Sequence, residues 1–223
     1  MHAQKAVIWG NSFVGMFARA NDKVILVPPN TPEKFDEKCA ETLGVKVAHV
    51  TVCSSNLAGL FSAMNNNGVI LSALAEREEA KRIGKLGVEC DILKGRFSAA
   101  GNNILVNSRV AIVNPLMDSV DIKIIEDCLG VEVIGRTIAG YETPGSVGVV
   151  TDSGLLLHQA VEEDELKEIE EIFKVKGTAG TANMGTPFVG LCIVANSKGY
   201  LCGEATSGFE MAKIDEGLGF IEQ

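Results

Sequence analysis

Leu43-Gly44-Val45-Lys46-Val47 is a five-residue segment that returns twice in nearly the same form, as Leu86-Gly87-Val88-Glu89-Cys90 and Leu129-Gly130-Val131-Glu132-Val133. Two weaker copies follow, Phe173-Lys174-Val175-Lys176 and Leu218-Gly219-Phe220. The five copies are spaced by 43, 43, 44 and 45 residues along the chain. Because a fixed period of this length is typical of repeat architectures, the sequence predicts five copies of one structural unit.

Each copy is preceded by the same order of sequence features. A polar turn stands 21 or 22 residues earlier, at Asn21, Asn65, Asn107, Asp152 and Asn196. A dense apolar run such as Val110-Ala111-Ile112-Val113 follows the turn, which predicts a hairpin with a buried second strand. A charged stretch with apolar residues at helical spacing comes next and predicts an amphipathic helix. Examples of this spacing are Leu166, Ile169, Ile172 and Phe173, or Val120, Ile124 and Cys128.

The ends of these helices carry capping signals. Thr31 before Pro32 is interpreted as an N-cap with proline at the first helical position, and Ser207 with Glu210 has the spacing of a capping box. Glycine after most of the helix-ending leucines is typical of a left-handed C-terminal cap. The Val-polar-Val pattern that follows predicts one more strand, so the unit is ββαβ.

The two ends of the chain complement one another. The fifth unit ends at Phe220-Ile221-Glu222-Gln223, where the other units begin their last strand, and the chain starts with Ala6-Val7-Ile8-Trp9. We expect residues 1-10 to supply the closing strand of a five-fold pseudosymmetric α/β propeller, which leaves no open end to the array. The whole chain, 1-223, is then a single domain with repeats at roughly 11-55, 56-97, 98-142, 143-182 and 183-223. The alternative, two α/β domains divided near residue 115, is disfavoured because that point has no linker-like composition.

Composition restricts the class of protein. Hydrophobic residues make up 46% of the 223 positions and charged residues 22%, which is typical of a folded globular chain. Twenty Lys and Arg against 29 Asp and Glu give a net charge of −9, which excludes binding of nucleic acid mainly by phosphate neutralisation. The six cysteines form no Cys-x-x-Cys pair and indicate reduced thiols. The first twenty residues make a poor signal peptide and no apolar run approaches eighteen residues, so a soluble, cytoplasmic protein is expected.

Three segments resemble one known family. They are Ser98-Ala99-Ala100-Gly101-Asn102-Asn103 followed by Val110 to Pro115, Leu129 to Val133 followed by Thr137-Ile138-Ala139, and Thr178-Ala179-Gly180-Thr181-Ala182-Asn183-Met184-Gly185. These segments are similar to the translation initiation factor six family, and a five-unit α/β ring resembles the pentein fold. The resemblance spans essentially the whole chain, and the end at residue 223 without the tail of eukaryotic members resembles the archaeal form.

The resemblance implies a binding protein and not an enzyme. It implies a factor that occupies the joining face of the large ribosomal subunit, prevents premature association with the small subunit and takes part in late maturation of the large subunit. The main contact implied is a ribosomal protein near the sarcin-ricin loop, with at most local contact to rRNA. Net acidity fits a basic ribosomal protein as partner. No cofactor, metal or membrane is expected, and the chain is expected to be a monomer.

Polar, glycine-containing loops open the five units, and by repeat equivalence they are expected at one end of the ring. Asn102 matches the family motif, whereas Leu60 stands where eukaryotic members have a basic residue. The alternative is that Asn and Gly in these loops only make turns. The predicted ribosome-binding residues are Asn11, Ser12, Phe13, Gly15, Asn56, Leu57, Leu60, Gly101, Asn102, Asn103, Gly145, Ser146, Asn183 and Met184.

Two other functions remain as hypotheses. Some penteins attack a guanidinium carbon with a cysteine, and in this chain Cys202 and His158 are the best nominal nucleophile and base. The histidines His2, His49 and His158 lack a carboxylate two residues later, and no phosphate-binding loop of the Gly-x4-Gly-Lys type is present. A core thiol and a strand-end imidazole are therefore preferred over a catalytic pair. The third hypothesis is a protein-binding ring with no ribosomal role.

Overall fold

A computed structural model describes residues 1–221 of the chain. Glu222 and Gln223, the last two residues of the predicted fifth unit, lie outside the described residues. The strands, numbered along the chain, are β1 (Ala3–Ala6), β2 (Arg19–Ala20), β3 (Val24–Val27), β4 (Lys46–His49), β5 (Ser62–Met64), β6 (Gly68–Leu71), β7 (Glu89–Ile92), β8 (Ile104–Val106), β9 (Val110–Val113), β10 (Glu132–Gly135), β11 (Gly148–Val150), β12 (Leu155–His158), β13 (Gly177–Gly180), β14 (Ile193–Ala195) and β15 (Tyr200–Gly203).

Helices of two lengths alternate with the strands. The single-turn helices are α1 (Val14–Phe17), α3 (Ala58–Phe61), α5 (Ala100–Asn103), α7 (Pro144–Val147) and α9 (Val189–Cys192). The longer helices are α2 (Glu33–Leu43), α4 (Arg77–Gly84), α6 (Ser119–Leu129), α8 (Glu163–Phe173) and α10 (Gly208–Gly217). No helix within residues 1–221 is long and apolar enough to cross a bilayer.

The strands form five small sheets of one topology. In the first sheet β2 and β3 pair antiparallel, with Arg19 opposite Leu26, and β3 and β4 pair parallel, with Val24 opposite Lys46. The other sheets are β5-β6-β7, β8-β9-β10, β11-β12-β13 and β14-β15-β1. The predicted five-fold α/β propeller of ββαβ repeats is therefore confirmed.

The N-terminal strand completes the fifth sheet. β1 runs parallel to β15, with Ala3 opposite Tyr200 and Ala6 opposite Gly203. The sequence pattern placed the strand at Ala6 to Trp9, which is three residues too late. Trp9 has a φ of 50° and begins a turn, so Ile8 makes only an isolated bridge to Asn11.

Each longer helix packs between two neighbouring sheets, which explains why its apolar face is fully covered. Ile83 of α4, for example, is buried between Leu26 of the first sheet and Leu71 of the second. In α6 the buried stripe contains Ile125 and Cys128, but Val120 is 53% exposed. The prediction that Val120 belongs to the buried stripe is wrong, because it lies one residue before the buried Asp121.

The capping predictions have mixed outcomes. The capping box between Ser207 and Glu210 is confirmed, and so is the left-handed cap at Gly44. Thr31 is not an N-cap, because Pro32 takes that place and the Thr31 hydroxyl donates to the Pro28 carbonyl at 2.6 Å. In the fourth unit Lys174 adopts the left-handed conformation with a φ of 58° despite its side chain.

The polar turns of the five hairpins gather around the ring axis and define one end of the molecule, the polar-turn end. There Asn196 donates to the carbonyl of Leu43 at 2.9 Å, so the C-terminus of α2 lies at this end as well. In the fourth unit the residue equivalent to these asparagines is Thr151, whose hydroxyl accepts from the Gly154 N–H. Asp152 lies in this turn, as the sequence predicts, and accepts from Ser108 of the preceding unit.

Candidate functional site

The five single-turn helices form a closed circle at the opposite end of the ring, which we call the short-helix end. Neighbouring helices contact one another around the whole circle, from α1 to α3 and finally from α9 to α1. Their second residue is always glycine, because a Cβ at that position would overlap backbone of the preceding helix. These glycines are Gly15, Gly59, Gly101, Gly145 and Gly190.

Tight turns surround the circle of helices, and acidic residues of the longer helices hold four of them. The Glu79 carboxylate accepts from the backbone N–H groups of Cys53 and Ser54, at 2.9 and 3.0 Å. Glu210 accepts from the N–H groups of Gly185 and Met184, at 2.8 and 3.2 Å. Asp121 and Glu165 contact the Lys94 and Ala139 amides in the same way.

These carboxylates are committed to the fold and are not free for binding. Burial by itself would raise the pKa of Glu210, but the hydrogen bonds from Ser207, Gly185 and Thr181 outweigh it and lower that pKa to about 2. The sequence predicted a capping role for Glu210 but not for Glu79, Asp121 or Glu165. An acidic residue at the third position of a helix is nevertheless a recognisable signal.

The structure brings all five predicted loops together at the short-helix end. Among the predicted binding residues, those with exposed side chains are Asn11, Asn56 and Met184. Half-buried residues are Ser12, Phe13, Leu57, Leu60, Asn102 and Asn183. Buried residues are Gly15, Gly101, Asn103, Gly145 and Ser146.

The buried members of the set have visible structural roles. Asn103 donates to the Ala99 carbonyl and accepts from Asn114, both at 2.9 Å. Ser146 donates to the Thr143 carbonyl at 2.8 Å. A partner can therefore contact mainly the exposed and half-buried residues of the prediction.

Around the circle, the third residue of each single-turn helix follows the glycine that contacts the preceding helix. These residues are Met16, Leu60, Asn102, Ser146 and Leu191. Asn102 is the one amide among them, and its Oδ1 has no hydrogen-bond partner within residues 1–221. Sequence reasoning found Leu60, Asn102 and Ser146 but missed Met16 and Leu191.

Exposed apolar side chains are concentrated at the same end. They lie in the tight turns, in the loops that precede the longer helices and in the first turn of α10. Sequence reasoning named only one of them, although an apolar residue beside a turn glycine is a usable signal. Val120 has the same position in α6 as Phe209 in α10 and is 53% exposed. The other six, with exposed fractions from 38% to 81%, are Trp9, Leu74, Leu116, Tyr141, Met184 and Phe209.

A buried arginine lies on the ring axis below the single-turn helices. The Arg19 guanidinium donates through Nη2 to the carbonyls of Gly59 at 2.7 Å and Gly101 at 3.4 Å. Burial lowers the pKa of Arg19 to about 10, so the group stays charged at neutral pH. Arg19 therefore ties the first unit to the second and third, and no sequence signal pointed to it.

The nominal catalytic pair is not assembled. Cys202 is fully buried, its Sγ lies 3.9 Å from the Gln4 carbonyl, and burial raises its pKa to about 11. His158 is also buried; its Nδ1 accepts from the Ala160 N–H at 3.1 Å, and its ring packs against Tyr141. The two side chains share no hydrogen bond in the part of the chain that the structure describes. A protonated, covered thiol of this kind is a poor nucleophile.

Comparison with known proteins gives a consistent result. The sequence profile of the eIF-6 family matches residues 3–217. The Pyrobaculum aerophilum protein named translation initiation factor 6 is 39% identical to this chain, over 95% of this chain and 96% of its own length. The Pyrococcus horikoshii protein of the same name is 37% identical, over 99% of this chain and 100% of its own length. The Methanosarcina mazei protein of that name is 38% identical, over 96% of this chain and 97% of its own length. With the ring of five ββαβ units, these matches show that the chain belongs to the eIF-6 family.

Proposed function

We propose that this protein is a translation initiation factor that binds the large ribosomal subunit through its short-helix end. Bound there, it prevents premature association with the small subunit by occupying the joining face. The names of the similar archaeal proteins support the translation role. The short-helix end is proposed as the binding surface because exposed apolar side chains are grouped there.

The architecture suits steric exclusion of a second large body. Exposed apolar groups concentrated on one face are typical of a protein interaction site. The closed ring holds the tight turns through Glu79, Asp121, Glu165 and Glu210, so the surface needs little ordering when it binds. Affinity is expected to concentrate in a few apolar anchors near the centre, with charges at the rim adjusting the association rate.

The finer points of the proposal concern the partner. The main contact is a basic ribosomal protein near the sarcin-ricin loop, because the chain carries a net charge of −9 and opposite charge accelerates encounter. Contact with rRNA is local. The protein acts as a cytoplasmic monomer without catalysis or a cofactor and also takes part in maturation of the large subunit.

Co-sedimentation tests the proposal directly. Purified protein is mixed with isolated large subunits, the mixture is run on a gradient, and matched small subunits are then added. We expect the protein to travel with the large subunits and to lower the yield of joined ribosomes. Free migration at low salt, with undiminished joining, would contradict the proposal.

A matched pair of variants tests which end binds. Met184→Asp places a charge on the most exposed apolar residue of the short-helix end, whereas Ile221→Asp makes the same kind of change near the polar-turn end. We expect Met184→Asp to reduce co-sedimentation and Ile221→Asp to leave it unchanged. The opposite result would assign binding to the polar-turn end.

A further inference from the structure

An open groove of about 680 Å³ lies between β4 and α4, on the outer side of the ring. Apolar residues from the first sheet, Val24, Ala48 and Val50, line it.

Four cations surround this groove in a chain that is acidic overall. Lys23 and Lys46 come from the first unit, and Arg82 and Lys85 come from the second. None of the four makes an ion pair within residues 1–221, since the acidic residue of the groove, Glu79, is occupied by backbone N–H groups. On the same helix Glu78 pairs with Lys81 at 2.6 Å. The groove therefore carries uncompensated positive charge.

The fold does not require this charge, as an equivalent groove elsewhere in the ring shows. Between β10 and α8 lies a groove of about 660 Å³. Glu132 begins β10 as Lys46 begins β4, and Glu168 has the same position in α8 as Arg82 has in α4. Arg136 in that groove is paired with Glu168 at 3.3 Å. In that groove Arg109, Arg136 and Lys174 are balanced by Glu132, Glu168 and Glu171, so the two equivalent grooves differ in net charge, one positive and the other neutral.

The groove also contains a free strand edge. Among the strands of residues 1–221, β4 pairs only with β3, and the N–H groups of Lys46 and Val50 donate to that side, to the carbonyls of Lys23 and Val27. Because alternate residues of a parallel strand bond to the same neighbour, the N–H groups of Val47 and His49 point to the open edge. An open edge of this kind can accept another strand.

We propose that this groove binds an extended acidic peptide segment of a partner protein, which adds as a strand to the edge of β4. Its carboxylates face Lys46, Arg82 and Lys85, and its small apolar side chains lie over Ala48 and Val50. A peptide is favoured over single-stranded RNA because the groove offers a strand edge for backbone pairing, and its stacking groups are limited to His49 and Arg82, with no Phe, Tyr or Trp among the described lining residues. The site is separate from the short-helix end and does not depend on ribosome binding.

Lys46, Ala48 and Val50 alternate along the chain and share one face, so the probe is a labelled peptide whose every second residue is Asp at the Lys46 end and Val over Ala48 and Val50, with Thr at the positions between. Fluorescence anisotropy of this peptide tests the proposal. The variant Arg82→Glu/Lys85→Glu gives α4 the charges that α8 carries, and Lys123→Glu/Lys167→Glu is the control with the same change in net charge on exposed faces of α6 and α8. We expect the groove variant to bind about tenfold more weakly or worse, and the control to stay within about twofold of the parent protein.

The remaining outcomes are equally informative. A peptide N-methylated at alternate amides is expected to lose binding, because it cannot pair with the edge of β4; equal binding would overturn strand addition. No binding by the parent protein, or equal weakening in both double variants, would overturn the site. Tighter binding of oligouridylate with the same dependence on Arg82 and Lys85 would assign the groove to RNA and overturn the peptide.

Discussion

The carbonyl oxygen of Gly15 occupies the space in which a Cβ on Gly59 would lie. The same relationship joins Gly101 to Gly59 and Gly145 to Gly101, so the circle of single-turn helices is held at backbone contact distance. None of these glycines needs a positive φ; each is required because another backbone approaches it closely. Three of the predicted binding residues are therefore buried packing positions of the short-helix end: Gly15, Gly101 and Gly145.

Substitution of Gly59 by alanine tests this packing. We expect Gly59→Ala to lower the free energy of unfolding by about 1–3 kcal/mol, because the new methyl group forces two backbone segments apart. Gly84→Ala is the control, since a Cβ there meets no atom within 4 Å and alanine favours the helix. Urea unfolding followed by circular dichroism measures both; equal stability of the two variants would show that the circle can expand freely.

Replacement of Glu210 by glutamine is expected to make stability less dependent on pH. The folded pKa of about 2 lies below the ordinary value of 4.5, so the carboxylate contributes stability above pH 4.5 that is lost as pH falls through about 2. The parent protein should therefore exceed Glu210→Gln in stability at pH 7 by about 1–3 kcal/mol, and the difference should shrink in acid.

The control for this measurement is Glu163→Gln, which changes an exposed carboxylate whose one ion pair within residues 1–221 is with Lys167. Its stability should follow that of the parent protein across the same pH range. A constant difference between the parent protein and Glu210→Gln from pH 7 to pH 2 would contradict the assigned role of the carboxylate.

Thiol reactivity should separate partly exposed from buried cysteines. Burial raises the pKa of Cys202 to about 11 and that of Cys192 to about 12, and both side chains are fully covered. We expect slow labelling of both in the native protein near pH 8, with the half-buried Cys53 reacting first. Cys90 is half-buried too, but burial raises its pKa to about 12, so it should follow Cys53. Mass spectrometry after timed labelling identifies the sites, and urea should release all six thiols.

The variant Cys202→Ala distinguishes a binding protein from a guanidine-modifying hydrolase. We expect it to co-sediment with large subunits like the parent protein, because the thiol is fully buried in the core and cannot contact a partner. Turnover of arginine-like substrates by the parent protein that Cys202→Ala abolishes would support the hydrolase instead.

Substitution of Asn102 tests the proposed binding surface. Asn102→Ala should weaken binding to large subunits by about 1–3 kcal/mol without unfolding the ring, because its Oδ1 has no partner within the described residues. Asp127→Lys, on the exposed C-terminal part of α6, is the control and should change little beyond salt dependence. Unchanged binding by Asn102→Ala would show that the Asn102 amide does not contribute to the interface.

Phe13→Ala is a second test at the same end, and we expect a similar loss of about 1–3 kcal/mol. Phe13 is half-buried and packs against the core cluster that contains Val189 and Cys202, so its variant also needs a check of folding. Thermal unfolding followed by circular dichroism supplies it. Weaker binding counts only if the variant remains folded at the temperature of the gradient.

Features that depend on neighbours in the chain could be predicted well. The period marked by Leu43 and its equivalents identified the repeats, and the Ser207–Glu210 capping box was located correctly, because strand, turn and cap signals act over a few residues. Errors arose where two adjacent residues carried similar signals. Thr31 is the example, since Pro32 beside it is the N-cap.

By itself, the sequence determined the number of units, their ββαβ order, the closure of the ring by its N-terminus and the set of loops that share one end. Only the tertiary structure decided which residues of those loops are accessible, how Arg19 ties three units together and why Trp9, Tyr141 and Phe209 share a surface. The physical reason is distance along the chain. The repeats can be recognised from residues close together in the sequence. The contact of Gly15 with Gly59 and the grouping of exposed side chains arise only when the five units pack around one axis.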